Sequence, residues 1–179
     1  MKHHDPRNDS GVRSLDGAKP LHKTPALIPR LDLANYISGF VDGEGCFCVS
    51  SQPSRRHRFG WEVRPSFSVS QNAERSELLT LLRTTWVCGS IRPDRSDRTL
   101  KFEVRRLKDL MHTVLPHFRA HPLVSSKQYD VVRFDQVCRW MGAGEHLERS
   151  GFVRIVQVAM EMNPSGKRKY SESDILNSL

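Results

Sequence analysis

The segment that most constrains the fold runs from Tyr36 to Phe47 and ends in two acids set among glycines. Its apolar residues recur at helical spacing on one face, at Leu33, Ile37, Phe40 and Val41. Ser38 and Gly39 are small, so another backbone could approach this helix closely. Gly43 and Gly45 stop the predicted helix near Asp42 and free the backbone for a sharp turn.

The acid at the end of this segment is the first candidate for chemistry. Glu44 follows the predicted helix and immediately precedes a strand-like run. A carboxylate fixed at a point of close helix contact would face its copy from a second helix. Paired carboxylates at an oxygen-lined site favour Mg²⁺. The alternative is an ordinary helix-to-strand turn with an exposed glutamate.

The run from Ile37 to Gly45, ISGFVDGEG, resembles the LAGLIDADG motif of homing endonucleases. Each of its positions is an identical or a conservative match. The resemblance covers about residues 31–162, and the tract from Gly144 to Lys169 is similar to the tail of single-motif members. It implies an α+β fold, with an α-β-β-α-β-β-α core, a curved four-stranded antiparallel sheet that lies in the DNA major groove, and extra C-terminal helices.

The patterns outside the motif independently predict an α+β fold. A strand is predicted over residues 46–52, then a basic loop over 53–60, then a strand over 61–71 whose apolar and polar residues alternate. A helix ending near Trp86, a second hairpin and further helices follow. The predicted order is helix, two strands, helix, two strands, then helices.

Length and charge set the organisation and the class of partner. The 179 residues favour one domain, over 31–162, between a mobile basic tail over 1–30 and a basic extension over 163–179. Lys and Arg number 28 against 20 Asp and Glu, and this net charge of +8 suits DNA, RNA or an anionic membrane surface.

Several classes of protein are disfavoured. No apolar run approaches the ~20 residues that a membrane span needs, so no membrane is expected as a partner. No secretory segment is recognisable, which favours a cytoplasmic (bacterial or archaeal) or organelle-interior location over secretion. Cys46 and Cys48 have no second cysteine pair to complete a zinc site.

The polar face of the predicted sheet is the candidate surface for reading DNA, since Gln and Arg side chains can contact base edges in pairs of hydrogen bonds. Its members are Cys48, Ser50, Gln52, Glu62, Arg64, Ser66, Ser68, Ser70, Arg92, Asp94, Thr99, Lys101 and Glu103. Loop cations suit phosphate contacts, at Arg55, Arg56, Arg58, Arg95, Arg98 and the cluster Lys167–Lys169. The alternative is a solvated sheet face with solvated loops.

The resemblance also implies catalytic roles. Glu44 matches the family's catalytic, metal-binding acid, which is more commonly Asp. Gln71 matches a polar residue that orders the water network. Lys127 resembles a basic residue near the scissile phosphate, although a solvated lysine in the first turn of a helix is the alternative. Asp42 is assigned to the helix terminus, with metal binding as the alternative. Mg²⁺ is the expected cofactor, Mn²⁺ could substitute, and Ca²⁺ should support binding without cleavage.

One motif per chain supplies one carboxylate, so the sequence predicts a homodimer that cuts a pseudo-palindromic target. The predicted interface consists of motif-helix residues Ile37, Ser38, Gly39, Val41 and Asp42. The expected function is that of a Mg²⁺-dependent, site-specific homing endonuclease that cuts double-stranded DNA. The alternatives on the same scaffold are a maturase that binds intron RNA and a catalytically inactive DNA-binding regulator.

Overall fold

The computed structural model describes residues 32–94 and 99–179. The tail predicted over 1–30 and the phosphate contacts predicted for Arg95 and Arg98 lie outside the described residues. Within them, the strands form one antiparallel sheet in the order β1-β2-β4-β3, with helices packed on one face. The predicted α+β fold is confirmed.

The first half of the described chain has a helix, a hairpin, a helix and a second hairpin. Its elements are α1 (Leu33–Glu44), β1 (Gly45–Pro53), β2 (Trp61–Asn72), a 3₁₀ turn (Ala73–Arg75), α2 (Glu77–Trp86), β3 (Ser90–Pro93) and β4 (Thr99–Val104). The second half is helical. Its elements are α3 (Leu107–Asp109), a π turn (Leu110–Val114), α4 (Leu115–Ala120), α5 (Lys127–Gly142), a 3₁₀ turn (Glu145–Leu147), α6 (Arg149–Met160) and α7 (Glu172–Leu176).

The alternation along β2 separates a buried face of the sheet from a polar one. Trp61, Val63, Phe67 and Val69 are at most 8% exposed, whereas the even-numbered residues from Glu62 to Ser70 lie on the other side. On the buried side, the ring centroid of Phe47 in β1 lies 5.0 Å from that of Phe67 and 5.2 Å from that of Phe118. This aromatic cluster joins the hairpin to α4.

The motif helix α1 differs from the prediction at its C-terminal end. The side chain of Asp32 accepts a hydrogen bond from the Asn35 amide at 3.1 Å and so caps its start. The helix continues through Gly43 to Glu44, two residues beyond the predicted end. Gly45 is the glycine that the turn requires, because an added Cβ would lie 2.5 Å from Cγ1 of Val41.

The helical segment from Leu107 to Ala120 contains an irregular turn. The π turn Leu110–Val114 leads directly into α4, and Pro116 is the second residue of α4. Proline has no backbone N–H, and its ring clashes with the carbonyl four residues earlier. The wider turn accommodates this proline inside a continuous helical segment.

The residues predicted as a C-terminal extension pack against the rest of the described domain. Ile175 in α7 is fully buried, and the Trp61 indole donates a hydrogen bond to Ser178 Oγ at 2.7 Å. The Asn163 amide donates to the Phe47 carbonyl at 2.8 Å, and the Arg168 guanidinium donates to the Val49 carbonyl at 3.4 Å. Both carbonyls belong to β1, an edge strand of the sheet. Arg168 therefore holds the fold together, in contrast to the phosphate contact considered for its cluster.

Candidate nucleic-acid interface and metal site

Strand pairing brings the predicted DNA-reading residues onto one face. Cys48 pairs with Ser66, Ser50 with Arg64, and Gln52 with Glu62 across β1 and β2. The face continues onto the second hairpin through pairings that involve Ser68, Ser70, Arg92, Lys101 and Glu103. Thr99 and Asp94 lie at the end of this hairpin, where the Asp94 amide donates to the Thr99 carbonyl at 2.9 Å. The structure thus assembles the described members of the predicted surface.

The charged side chains on this face are held in local groups. Glu62 accepts hydrogen bonds from Arg64 at 2.7 Å and from Gln52 at 3.1 Å. The bond from Arg64 is the main reason that the pKa of Glu62 lies below its ordinary value. In the second hairpin, Glu103 pairs with Arg92 at 2.9 Å and with Arg105 at 3.0 Å. Each acid therefore orients two donors on the surface.

Arg105 is a candidate that the sequence reasoning missed. Its signal was the period of two in β4, since Lys101, Glu103 and Arg105 continue the polar series beyond the last predicted member. Among the hairpin-loop cations, Arg55 and Arg56 are exposed as predicted. Arg58 differs, because its guanidinium donates to the Leu147 carbonyl at 2.8 Å and thereby ties this loop to the 3₁₀ turn before α6.

The two acids of the motif have different surroundings. Glu44 is the last residue of α1, and its exposed carboxylate makes no hydrogen bond or ion pair to any described residue. Asp42 Oδ2 accepts hydrogen bonds from the amides of Val124 at 3.1 Å and Ser125 at 3.0 Å, and its Oδ1 accepts one from the Ser125 hydroxyl. Burial alone would raise the pKa of Asp42, but the hydrogen bonds from Ser125 hold it below its ordinary value.

The other two predicted catalytic residues lie beside α1 and β2. Gln71 follows Val69 by two positions on β2, and Val69 pairs with Gly45, so Gln71 and Glu44 lie at the same end of the hairpin. The Lys127 ammonium donates to the carbonyls of Val41, Asp42 and Gly43 at 3.1, 2.7 and 3.3 Å. Lys127 is thus bound to the end of α1 and is not a freely solvated lysine.

The structure corrects most of the predicted dimer interface. Ile37, Ser38 and Val41 are at most 4% exposed inside this chain, so a second copy cannot pack on them. The Ser38 hydroxyl instead donates to the His121 carbonyl at 2.7 Å. The Asp42 carboxylate is occupied by the segment that precedes α5. The predicted helix is present, but its small residue Ser38 lies on the buried face. Of the five predicted residues, Gly39 has the open surface that a partner helix needs.

The outward face of α1 has space for close contact. A Cβ added at Gly39 or at Gly43 would meet nothing within 4 Å, and the exposed ring of Tyr36 lies on the same side. These glycines lie one helical turn apart and precede Glu44. A second α1 could therefore pack over them and bring another Glu44 close.

The described residues of one chain could bind a divalent metal only if other groups completed the site. Within residues 32–94 and 99–179, no group of three or more His, Cys, Asp or Glu side chains could hold a metal ion. Carboxylate oxygens are nevertheless common ligands of Mg²⁺ and Ca²⁺ in proteins. Glu44 would therefore supply one ligand, and a second copy, phosphate oxygens and water would complete the set. None of the described helices has the length and apolar character needed to cross a membrane.

Known proteins are similar to this chain in sequence and in structure. A 50.9 kDa protein in ND4 intron 1 of Podospora anserina is 36% identical over 116 residues, which are 64% of this chain and 25% of that protein. The chain spans about a quarter to a third of the length of the first curated relatives it matches.

Two solved structures extend the comparison. The homing endonuclease I-TnaI is 31% identical, with a TM-score of 0.71 over 81% of this chain and 94% of that chain. The I-LtrWI LAGLIDADG homing endonuclease, solved bound to target DNA, is also 31% identical, with a TM-score of 0.71 over 73% of this chain and 44% of that chain. The family model for LAGLIDADG endonucleases matches residues 37–138, more than half of the sequence. This chain therefore belongs to the LAGLIDADG endonuclease family.

Proposed function

We propose that this chain is a site-specific homing endonuclease that cuts both strands of a DNA target in the presence of Mg²⁺. The observation that carries the proposal is the exposed carboxylate of Glu44 at the end of α1, directly before β1, which makes no hydrogen bond or ion pair to any described residue. Family membership and the DNA-bound relative I-LtrWI support DNA as the substrate. The protein from ND4 intron 1 supports an intron-encoded origin.

The polar face accounts for recognition of the target. Its Arg, Gln and Glu side chains can donate to or accept from base edges in the major groove, and a two-stranded ribbon fits that groove. Arg55 and Arg56 on the hairpin loop suit phosphate contacts, which fix the register of the protein on the duplex. The net charge of +8 adds attraction that does not depend on sequence and weakens as salt concentration rises.

Cleavage joins a water oxygen to phosphorus and breaks the bond to the 3′ oxygen, while the attacking water loses a proton to solvent and the leaving oxygen gains one. Glu44 would hold Mg²⁺, which when bound would supply positive charge for the nonbridging and leaving oxygens. Gln71, at the same end of the hairpin, orients the attacking water through its side-chain amide. Mn²⁺ can replace Mg²⁺ in this role, while Ca²⁺ supports binding without cleavage.

A homodimer completes the site. One chain provides one unpartnered motif acid among its described residues, and the open surface at Gly39 and Gly43 allows two α1 helices to pack. Two-fold symmetry then gives a pseudo-palindromic target. Binding stoichiometry measured with a long duplex containing the target should give two chains per site.

The test of this function is the isosteric substitution Glu44→Gln. A randomised target library is first cut with wild-type protein in Mg²⁺ to identify the site. On that site we expect Glu44→Gln to lower the cleavage rate by at least about 100-fold, because the carboxylate no longer holds the metal at the developing charge. Binding in Ca²⁺, measured by fluorescence anisotropy, should change far less.

The matched control is Glu77→Gln, which changes an exposed glutamate at the start of α2 and should leave cleavage unchanged. A Glu44→Gln variant that cuts as fast as wild type contradicts the metal-binding role. A wild-type protein that binds intron RNA tightly and cuts no member of the library would identify a maturase. One that binds a DNA site without cutting would identify a regulator.

A further inference from the structure

The C-terminal end of α1 and the N-terminal end of α5 face each other across a short gap. A helix terminus leaves backbone groups without partners inside the helix: carbonyls at the C-terminal end and amides at the N-terminal end. In this chain, the end of α1 receives donors from Lys127, and the segment that immediately precedes α5 donates to Asp42. We call the residues that make these contacts the α1–α5 clamp: Asp42, Ser125 and Lys127.

One half of the clamp holds the segment that immediately precedes α5. The Asp42 carboxylate accepts hydrogen bonds from two amides, of Val124 and Ser125, and from the Ser125 hydroxyl. The Ser125 hydroxyl oxygen also accepts from the Lys127 amide at 3.2 Å. A carboxylate near the N-terminal end of a helix is stabilised by the partial positive charge of that end. Asp42 thus fixes the segment from which Lys127 projects.

The other half satisfies the end of α1. The ammonium of Lys127 contacts three consecutive carbonyls, of Val41, Asp42 and Gly43, and the shortest of these distances is 2.7 Å. A cation is favoured at this end of a helix for the same electrostatic reason. The next residue is Glu44, after which the Gly45 amide donates to the Val41 carbonyl. The backbone next to Glu44 is therefore held at the end of α1, while its carboxylate has no hydrogen bond or ion pair within residues 32–94 and 99–179.

We propose that the α1–α5 clamp positions Glu44 for metal binding and that Lys127 acts through the backbone of α1. This role differs from the one that the family resemblance implies, in which the basic residue acts near the scissile phosphate. This inference rests on the proposed endonuclease function. Lys127 is then a positioning residue together with Ser125 and Asp42. Removing the side chain of any of the three loosens the end of α1 that carries Glu44. Each substitution should therefore weaken metal binding by the same mechanism.

The experiment compares Ser125→Ala, Lys127→Met and the double variant in the full-length protein. Ser126→Ala is the matched control, since this neighbouring serine makes no side-chain capping bond to α5. Calorimetric titration of Ca²⁺ into the complex with target DNA measures metal affinity directly. We expect each single variant to weaken that affinity by roughly 10- to 100-fold, as is usual when groups that orient a metal ligand are removed. The fold loss of Ca²⁺ affinity in the double variant should be smaller than the product of the fold losses in the two single variants.

Two further measurements separate positioning from direct catalysis. Hydrogen exchange of the Gly45 amide, followed without metal or DNA, should accelerate in Ser125→Ala and Lys127→Met but not in Ser126→Ala. Cleavage at saturating Mg²⁺ should return to within about threefold of wild type, since the clamp affects occupancy more than chemistry. Lys127→Arg, which keeps a cationic donor, should restore much of the metal affinity.

The inference fails if Lys127→Met loses cleavage at saturating Mg²⁺ while Ca²⁺ affinity and Gly45 exchange stay as in wild type, because Lys127 then acts on the phosphate. It also fails if Ser125→Ala behaves like Ser126→Ala. Failure of the proposed function is distinct, since wild-type protein would then cut no DNA although exchange at Gly45 still responds to the clamp. Thermal unfolding of each variant shows whether it is folded at the assay temperature.

Discussion

On α1, Ile37, Ser38 and Val41 are at most 4% exposed, whereas Gly39, Gly43 and Glu44 face outward on the same helix. The inward residues pack against the sheet and α4, and Ile37 and Val41 belong to the hydrophobic core. The outward residues make little contact with the rest of the described chain. One helix therefore divides its positions between stability and function, and substitutions on its two sides should affect different measurements.

The largest expected effect on stability comes from the inward side. Ile37→Ala should lower the free energy of unfolding by about 2–5 kcal/mol, because a fully buried side chain is removed and a cavity remains. Urea denaturation of the variant and wild type measures the difference. Glu44→Gln should change the same quantity by less than about 0.5 kcal/mol. The division between the two sides of α1 would be contradicted if Ile37→Ala changed the free energy of unfolding less than Glu44→Gln does.

A second, smaller effect involves a histidine that packs behind the inward side. Burial, together with neighbouring His121, lowers the pKa of His117 from its ordinary value of 6.5 to about 4. Between these values the unfolded chain binds a proton that the folded chain does not, so stability should fall as pH decreases from about 6.5 to about 4. Since the ring is only half-buried, we expect a loss of about 1–2 kcal/mol between pH 7 and pH 5.

Two measurements check this pH dependence. An NMR titration of the His117 ring protons reports its pKa directly, and urea denaturation at pH 7 and pH 5 reports the loss of stability. In His117→Gln this part of the loss should disappear. A His117 ring that titrates near 6.5 would show that the inward side of α1 is more hydrated than its packing indicates.

The smallest expected effect has the opposite sign and lies on the outward side. Gly39→Ala should raise the free energy of unfolding of the dissociated chain by about 0.5–1 kcal/mol, because alanine favours helix and its Cβ meets nothing within 4 Å. The same methyl group should weaken dimer formation, measured by analytical ultracentrifugation. Thr85→Ala, on the exposed side of α2, is the control that should leave association unchanged. Destabilisation by Gly39→Ala would contradict the division between the two sides.

The sequence was most informative where local rules decide the structure. The period of two in β2 identified the buried and polar faces correctly, because side chains in a strand point alternately to opposite sides. The helical period likewise located the motif helix. It did not identify which side of that helix is free, because Ser38 and Gly39 are both small and the difference depends on where α4 lies. That information is tertiary.

The sequence predicts only part of the candidate site, because the rest depends on tertiary contacts. Glu44 is identified by its place in a short motif, and the structure gives it an exposed position with no partner in the part of the chain that the structure describes. The contacts between Asp42 and Ser125, which are 83 residues apart, have no signal in a single sequence. The attachment of Arg168 to β1 also has no signal in a single sequence. A run of three basic residues is equally typical of a solvated loop, and only the structure shows the backbone carbonyls that lie near Arg168.

The packing of residues 163–179 on β1 has a practical consequence for anyone who shortens this protein. Without that segment, the Phe47 and Val49 carbonyls would lose the donors from Asn163 and Arg168, and a bare strand would be available for pairing with other chains. A trimmed version designed on motif boundaries alone would then risk aggregation during expression. Fusions are better joined beyond the final helix.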